Sequence, residues 1–233
     1  MTDASLDMAR LEDDFAADGF AVARGYCDAS EVAELNRTID AVIARLPSLP
    51  GDVAFYEVAD GPESIMRLQL LEQHDEQLRQ LFLSDRMAGL ARRLLADEVT
   101  PIALEWFAKP PRIGKLTPPH QDQYWWHLEP CSGVTLWLSL DHIDESNGCI
   151  RYVPGSHLLP LRTHGEMKVL GFSKGILDFG DADLEAERAV VTQPGDLIAH
   201  HAGIVHRADP NPTTRPRRAL GMVYFAASAK RPA

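Results

Sequence analysis

The sequence predicts a mainly β protein, a jelly roll or sandwich with helices packed against its outside. Short strand-like segments separated by turn residues follow one another after residue 101, whereas helical periodicity is confined to the first third of the chain. The length of 233 residues suits one large all-β domain, which we place at 1–233. Apolar residues make up 45% of the sequence, which argues against a disordered or fibrous chain.

The helical part is expected at about residues 10–96. Asp28 and Glu31 have the spacing of a capping box, in which two side chains cap the first turn of a helix. Apolar residues then recur on one helical face, at Val32, Leu35, Ile39, Val42 and Leu46. A second helical stretch is expected from about Asp75 to Leu95, and Ser84-Asp85 is a candidate break within it.

The jelly-roll core is expected at about residues 100–228, where short apolar segments alternate with Gly, Pro and Asn. The predicted strands cover 102–107, 134–140, 149–153, 197–199, 203–206 and 218–225. The segment 163–187 contains several glycines and little periodicity, so we expect a long loop there. Such a loop is a candidate lid, because a reactive site must exclude water.

Charge and composition argue against several classes of partner. The formal net charge of −11 disfavours nucleic-acid binding, which needs clustered Lys and Arg. No apolar run approaches the roughly 20 residues that span a bilayer, and the start does not resemble a signal peptide. The three cysteines lie far apart, which favours a reducing compartment. We therefore expect a cytoplasmic protein with a small-molecule substrate, and the oligomeric state is left open.

His120-Gln-Asp122 is the candidate metal motif. On a strand, His120 and Asp122 point the same way, so both side chains reach one ion. Two imidazoles and one carboxylate occupy one face of an iron octahedron and leave three positions open, which suits iron-dependent oxygenases. The third ligand is then a later histidine: His200, His201 or His206.

His206 alone among these three has a suitable basic companion. Arg217 lies eleven residues further on, across a turn rich in Pro and Asn. A hairpin there would place Arg217 on the neighbouring strand, where its guanidinium could bind a carboxylate with two hydrogen bonds. A metal-bound 2-oxo diacid needs such an anchor for its far carboxylate.

Spacing alone does not identify a metal site, because a second His-x-Asp is present at His142-Ile-Asp144. That motif leads into a polar turn, Glu145-Ser-Asn-Gly148, and we interpret it as solvated loop residues. His120-Gln-Asp122 instead lies between two prolines and a dense aromatic stretch.

Five motifs follow one another along the chain: His120-Gln-Asp122, Asp144-Glu-Ser-Asn-Gly-Cys149, Val153-Pro-Gly-Ser-His157, Pro194-Gly-Asp196 and the stretch from His206 to Leu220. In order and spacing they resemble the phytanoyl-CoA dioxygenase (PhyH-like) family of Fe(II)/2-oxoglutarate oxygenases. The resemblance covers roughly residues 10–228 and is strongest over 107–225. It implies a double-stranded β-helix, a jelly roll whose mouth holds the iron.

The resemblance also implies a role for individual residues. His120, Asp122 and His206 match the Fe(II) ligands, and Arg217 matches the residue that binds the far carboxylate of 2-oxoglutarate. Because Asp122 is a carboxylate, hydroxylation is favoured over the halogenation performed by relatives that leave a site for chloride.

Three further positions match more loosely or depart from the family. Trp137 and Arg67 fall where family members place additional contacts to 2-oxoglutarate, although Trp137 could equally pack in the core and Arg67 could be an ordinary surface residue of a helix or strand. Family members often carry a small hydroxyl residue two places after the distal histidine, whereas this chain has Ala208.

These inferences predict a dioxygenase that uses Fe(II), 2-oxoglutarate and O2 to hydroxylate an aliphatic C–H bond of a small organic substrate, releasing succinate and CO2. Tyr124, Trp125 and Trp126 follow the metal motif and are the candidate wall of the substrate pocket. His157 and the pair His200-His201 are expected to have structural roles.

Two alternatives remain open. The first is a catalytically silent jelly-roll protein that binds or regulates, against which the complete ligand set and Arg217 argue. The second is a cupin-like metal enzyme of another kind, against which the absence of a His-x-His pair argues.

Overall fold

The computed structural model describes residues 7–58, 61–169 and 172–231, without the side chains of residues 168, 169, 172 and 173. Helices dominate the front of the chain as expected: α1 (Met8–Asp18), α2 (Ala29–Arg45), α3 (Glu76–Leu83) and α4 (Asp85–Leu95). Asp28 and Glu31 form the expected capping box at the start of α2. Ser84 separates α3 from α4, because its hydroxyl caps the first turn of α4.

The remaining helices are short. They are α5 (Gln123–Trp126), α6 (Asp181–Ala186) and the 3₁₀ turns Leu46–Ser48, Pro62–Ser64, Leu71–Gln73 and Ser156–Leu158. No helix among the described residues is long and apolar enough to cross a membrane.

Thirteen strands are found in the described part of the chain. They are β1 (Phe20–Ala23), β2 (Ala54–Tyr56), β3 (Ile65–Leu68), β4 (Val99–Lys109), β5 (Thr117–His120), β6 (Gly133–Ser139), β7 (Ile150–Tyr152), β8 (His164–Val169), β9 (Phe172–Ile176), β10 (Arg188–Val190), β11 (Leu197–His201), β12 (His206–Ala208) and β13 (Arg217–Ala226).

The strands form two sheets that face each other and a separate hairpin. The larger sheet has the order β1-β11-β6-β13-β4-β3-β2, the smaller one has the order β10-β7-β12-β5, and β8 pairs with β9. Neighbouring strands are antiparallel in every pair. This arrangement is a jelly roll, and the predicted fold class is confirmed.

Successive side chains along the central strands point to opposite faces of the sheet, and the two faces pack into two separate cores. Leu136 and Leu138 on β6, with Leu220 on β13, belong to a core shared with the helices. Trp137 and Ala219, which alternate with them, pack with apolar residues of the smaller sheet instead. Side chains on this second face of β4, β6, β11 and β13 therefore point between the sheets, where the candidate site lies.

Two predictions of secondary structure need correction. The range 10–96 is not helical throughout, because β1, β2 and β3 join the larger sheet within it. These strands have three or four residues each, too few for an alternating pattern to stand out. The predicted strand at 203–206 begins only at His206, after a buried turn.

The expected loop at 163–187 is also largely wrong. β8 and β9 form a hairpin there, with Gly165 opposite Gly175, and α6 follows. Glycine-rich hairpins lack the apolar alternation that identifies a strand, so the pattern concealed them. The centre of the predicted lid, residues 170–171, lies outside the described residues.

Candidate metal centre

Two strands of the smaller sheet and one helix start bring the predicted donors together. His120 is the last residue of β5, and His206, the first residue of β12, lies opposite it in the antiparallel register. Their ring centroids are 4.1 Å apart. The strand does not extend to Asp122 as expected, since this residue already has helical backbone angles at the start of α5.

The donor atoms of these three residues nevertheless face one another. Asp122 Oδ1 lies 3.7 Å from Nε2 of His120 and 3.9 Å from Nε2 of His206. All three donor atoms lie within 4.8 Å of one another, and no other such group occurs in the described part of the chain. His120 and His206 are buried, whereas Asp122 is partly buried.

Hydrogen bonds fix which imidazole nitrogen is turned toward the carboxylate. Nδ1 of His120 lies 2.8 Å from the carbonyl oxygen of Pro118, and Nδ1 of His206 lies 3.1 Å from that of Ile204. Each Nδ1–H therefore donates to the backbone, which leaves a lone pair on each Nε2. Burial lowers the pKa of both histidines below its ordinary value, so the rings are neutral near pH 7.

The carboxylate completes a set that fits a divalent metal ion. Burial alone would raise the pKa of Asp122, but a hydrogen bond from His200 and the neighbouring imidazoles hold it below its usual range. Two nitrogen lone pairs and an anionic oxygen thus converge with no proton between them, an arrangement that a cation stabilises. Two imidazoles and one carboxylate are the donor set of non-haem Fe(II) sites.

Arg217 lies in the same cavity as the donors. It is buried on β13, its Nε donates to the carbonyl oxygen of Gly148 at 3.0 Å, and its guanidinium lies 5.0 Å from the ring centre of Trp137. Burial lowers the pKa of Arg217 to about 10, so it remains charged at neutral pH. No acidic side chain among the described residues forms an ion pair with it, which leaves a buried cation suited to an anionic ligand.

A cavity of about 400 Å³ joins these groups. Its lining includes the three donors, Arg217, Trp137 and Arg67, as well as Trp125 and Trp126. Arg67 forms an ion pair with Glu105 and lies 5.6 Å from the ring centres of both Phe55 and Phe107. The structure therefore brings most of the predicted site residues to one space.

Tyr124 is the exception among the predicted site residues. It does not line the cavity, and its ring stacks on His164 of β8 at 4.3 Å. Because α5 is a single helical turn, its three aromatic residues point in different directions, which a strand prediction could not show.

Three cavity residues were missed or given another role by the sequence. Glu105 and Lys109 lie on the inward face of β4, and burial lowers the pKa of Lys109 to about 7. His200 was assigned a structural role, yet its Nε2 lies 3.4 Å from Asp122 Oδ2. The alternation of side chains along β4 and β11 shows which residues share a face, but only the strand register shows which face points between the sheets. The sequence alone therefore could not place these three residues in the cavity.

The other His-x-Asp motif lies apart from this cavity. His142 Nε2 is 3.1 Å from Asp144 Oδ2 in a surface loop, where Arg215 also pairs with Asp144 at 2.8 Å.

The two residues that follow His206 have different partners. Ala208 lines the cavity, and Arg207 is paired with Glu187 and Asp209.

Comparison with known proteins identifies relatives of the chain. The family model for phytanoyl-CoA dioxygenase (PhyH) matches residues 15–219. Phytanoyl-CoA dioxygenase, peroxisomal, of Rattus norvegicus is 24% identical over 225 residues, which is 91% of this chain and 66% of the rat protein. A probable phytanoyl-CoA dioxygenase of Caenorhabditis elegans is 33% identical over 122 residues, covering 50% of this chain and 39% of that protein. The chain thus spans about two thirds or less of the length of these curated relatives.

Solved structures resemble nearly the full length of the chain. The epimerase SnoN, solved in complex with Fe3+, alpha ketoglutarate and nogalamycin RO, superposes with a TM-score of 0.77 at 26% identity, covering 97% of this chain and 86% of SnoN. AviO1 from Streptomyces viridochromogenes Tue57 superposes with a TM-score of 0.77 at 27% identity, covering 99% of both chains.

Proposed function

This chain belongs to the phytanoyl-CoA dioxygenase family, and we propose that it is an Fe(II)- and 2-oxoglutarate-dependent oxygenase that hydroxylates an aliphatic C–H bond of a small organic substrate. The convergence of two neutral imidazoles, one carboxylate and a buried arginine on one cavity is the observation that carries this proposal. A silent binding protein would have no use for three lone-pair donors facing one another beside a buried arginine.

His120, Asp122 and His206 would hold the Fe(II) ion, and Arg217 would bind the far carboxylate of 2-oxoglutarate. When bound, the iron and its co-substrate supply the oxidising chemistry that converts 2-oxoglutarate and O2 to succinate and CO2. The protein supplies position: the guanidinium of Arg217 is fixed by Gly148 and the Trp137 ring, so it needs little reorganisation to receive an anion.

Aromatic and aliphatic side chains line part of the cavity beside the donors. Trp125 lies edge-on to His120 with 5.5 Å between ring centres, and Trp126 also lines the cavity. Ile102 and Val223 add apolar surface to the same space. A small substrate with an apolar body fits such a lining.

The type of product is part of the proposal. SnoN, described as an epimerase, shows that enzymes with this fold and cofactor pair do not all hydroxylate. Asp122 supplies the carboxylate ligand, which favours hydroxylation over halogenation. The cytoplasmic location is likewise a proposal, since curated relatives include peroxisomal proteins.

Product analysis tests the proposal. The chain is incubated with Fe(II), 2-oxoglutarate, O2 and a panel of small aliphatic and alicyclic compounds, while succinate is measured. A compound that stimulates succinate release and gains one oxygen atom by mass spectrometry supports hydroxylation. A product of unchanged mass but inverted stereochemistry would replace hydroxylation with epimerisation, and His206→Ala serves as the inactive control.

A further inference from the structure

The two carboxylate oxygens of Asp122 have different neighbours. Oδ1 faces the imidazoles of His120 and His206. Oδ2 instead lies 3.4 Å from Nε2 of His200 and 3.4 Å from the hydroxyl of Thr135. One oxygen is therefore directed to the other candidate ligands, and the second to hydrogen-bond donors.

Strand register explains why these donors lie together. His200 on β11 is paired directly with Thr135 on β6, and both side chains point between the sheets. The adjacent His201 points to the other face, where its ring centre lies 5.9 Å from that of Phe15 in α1. Two consecutive histidines thus have entirely different surroundings.

The neighbours of His200 indicate which of its nitrogens carries the proton. The Tyr152 hydroxyl lies 2.9 Å from Nδ1 of His200, and both side chains are buried. A lone pair on Nε2 would face the anionic oxygen of Asp122, so Nε2 must carry the proton. Nδ1 is then an acceptor, and the Tyr152 hydroxyl donates to it. The hydrogen bonds run in one direction, from Tyr152 through His200 to Asp122.

We propose that Tyr152 and His200 form a hydrogen-bonded relay that positions Asp122 so that Oδ1 alone is offered to the metal ion. This inference rests on the proposed function, because it assumes an ion held by Asp122. A carboxylate that offered both oxygens would occupy a further coordination position, one that 2-oxoglutarate and O2 require. His200 is a positioning residue, and its protonated Nε2 has no lone pair for the ion.

Two nearly isosteric substitutions of His200 separate the relay from simple packing. The side-chain amide of Gln places its nitrogen near the position of Nε2 of histidine, whereas the shorter amide of Asn reaches only the position of Nδ1, where its oxygen can accept a hydrogen bond. His200→Gln therefore retains a donor toward Asp122, whereas His200→Asn retains only a partner for Tyr152. We expect His200→Asn to raise the Fe(II) dissociation constant by about 10- to 100-fold, as loss of an outer partner of a ligand typically does. His200→Gln should retain most of the affinity.

The substitution Tyr152→Phe tests the first link of the relay without altering β11. Alone, it should raise the Fe(II) dissociation constant, because His200 is no longer held with its proton on Nε2. Combined with His200→Asn it should have no further effect, since the path to Asp122 is already broken. Additive effects of the two substitutions would contradict a relay.

Anaerobic equilibrium dialysis of the full chain against Fe(II) is the measurement, with thermal unfolding of each metal-free variant as the check on folding. His201→Gln is the matched control, and we expect its Fe(II) affinity to equal that of the wild type. Equal losses in His200→Gln and His200→Asn would overturn the relay while leaving the proposed function intact. A wild-type chain that binds no Fe(II) would overturn the proposed function itself, and the relay with it.

Discussion

Two His-x-Asp motifs in this chain have the same spacing and opposite surroundings. In His120-Gln-Asp122 the shortest distance between imidazole and carboxylate is 3.7 Å, and in His142-Ile-Asp144 it is 3.1 Å. The His120 side chain is 6% exposed and that of His142 is 42% exposed. Distance within the pair therefore does not distinguish a candidate metal centre from a surface loop.

The neighbours of each carboxylate make the difference. Asp144 accepts hydrogen bonds from the Ser146 hydroxyl and from backbone N–H groups, and it is paired with Arg215. The hydrogen bond from Ser146 lowers the pKa of Asp144, and the hydrogen bond from Arg215 lowers it further. Together they outweigh partial burial, which acts in the opposite direction, so this pKa lies below its usual range. Asp122 instead directs Oδ1 toward two nitrogen lone pairs. A metal site needs donors without protons between them, and only the buried motif provides them.

The largest effect is expected from removing the third donor. His206→Ala should abolish Fe(II) binding, because the remaining imidazole and carboxylate cannot hold the ion against water. His142→Ala, in the surface motif, should leave binding unchanged. Anaerobic dialysis against Fe(II) measures both variants. If His142→Ala weakened binding more than His206→Ala, the assignment of the two motifs would be wrong.

A second contrast concerns two arginines. Arg217 lies in the cavity with the buried motif, and Arg215 pairs with Asp144 of the surface motif. Arg217→Ala should raise the 2-oxoglutarate concentration at half-saturation by about thirtyfold or more, because losing a buried charged partner costs about 2–5 kcal/mol. Fe(II) affinity should change much less. Arg215→Ala should change neither quantity, since that residue pairs with Asp144 at the surface. Parallel losses of Fe(II) and 2-oxoglutarate binding in Arg217→Ala would show that the arginine is structural.

The buried region should also make the protein sensitive to acid. Burial lowers the pKa of His201 from 6.5 to about 4, and Nδ1 of this residue accepts a hydrogen bond from the Gly203 N–H. His201 binds a proton more readily in the unfolded chain than in the folded one. The neutral imidazole therefore contributes its full stability to the fold above pH 6.5, and this contribution is lost as the pH falls toward 4. From pH 7 to pH 5 the loss is roughly 2 kcal/mol.

Urea unfolding at pH 7 and pH 5 measures this loss. His201→Gln should remove most of the pH dependence that His201 contributes, because glutamine does not titrate. If the unfolding free energy of His201→Gln changed between pH 7 and pH 5 by as much as that of the wild type, groups other than His201 would be responsible for the acid sensitivity.

The smallest effect is expected in the surface motif. Asp144→Ala removes several hydrogen bonds within an exposed loop, and we expect a loss of about 1 kcal/mol in the free energy of unfolding. Its Fe(II) affinity should equal that of the wild type. Thermal unfolding and dialysis of one preparation give both values, and weakened Fe(II) binding would show that the two motifs are not independent.

Sequence patterns predicted the elements that have a local or periodic signal. They missed strands that are defined only by their pairing with other strands. The capping box of Asp28 and the division at Ser84 are local, so they could be identified without tertiary structure. β1 to β3 and the hairpin of β8 and β9 are too short or too rich in glycine to show a pattern.

The candidate site shows the same division. His120 and His206 lie far apart in sequence, and motif order together with the companion Arg217 sufficed to pair them. The position of His200 depends on which face of β11 points between the sheets, and that follows only from its pairing with Thr135. The position of Tyr124 outside the cavity lining has the same origin, because the helical turn of α5 sets its direction. The catalytic roles of all these residues remain predictions.

The most direct test of the central claim is an anaerobic titration of the purified chain with Fe(II) and then with 2-oxoglutarate, followed by visible absorption. Chelation of Fe(II) by the 2-oxo acid produces a charge-transfer band. We expect this band in the wild-type chain and in His142→Ala, and its loss in His206→Ala. A folded wild-type chain that gives no band would contradict the proposed Fe(II)/2-oxoglutarate centre, and a band that survives in His206→Ala would contradict the ligand assignment.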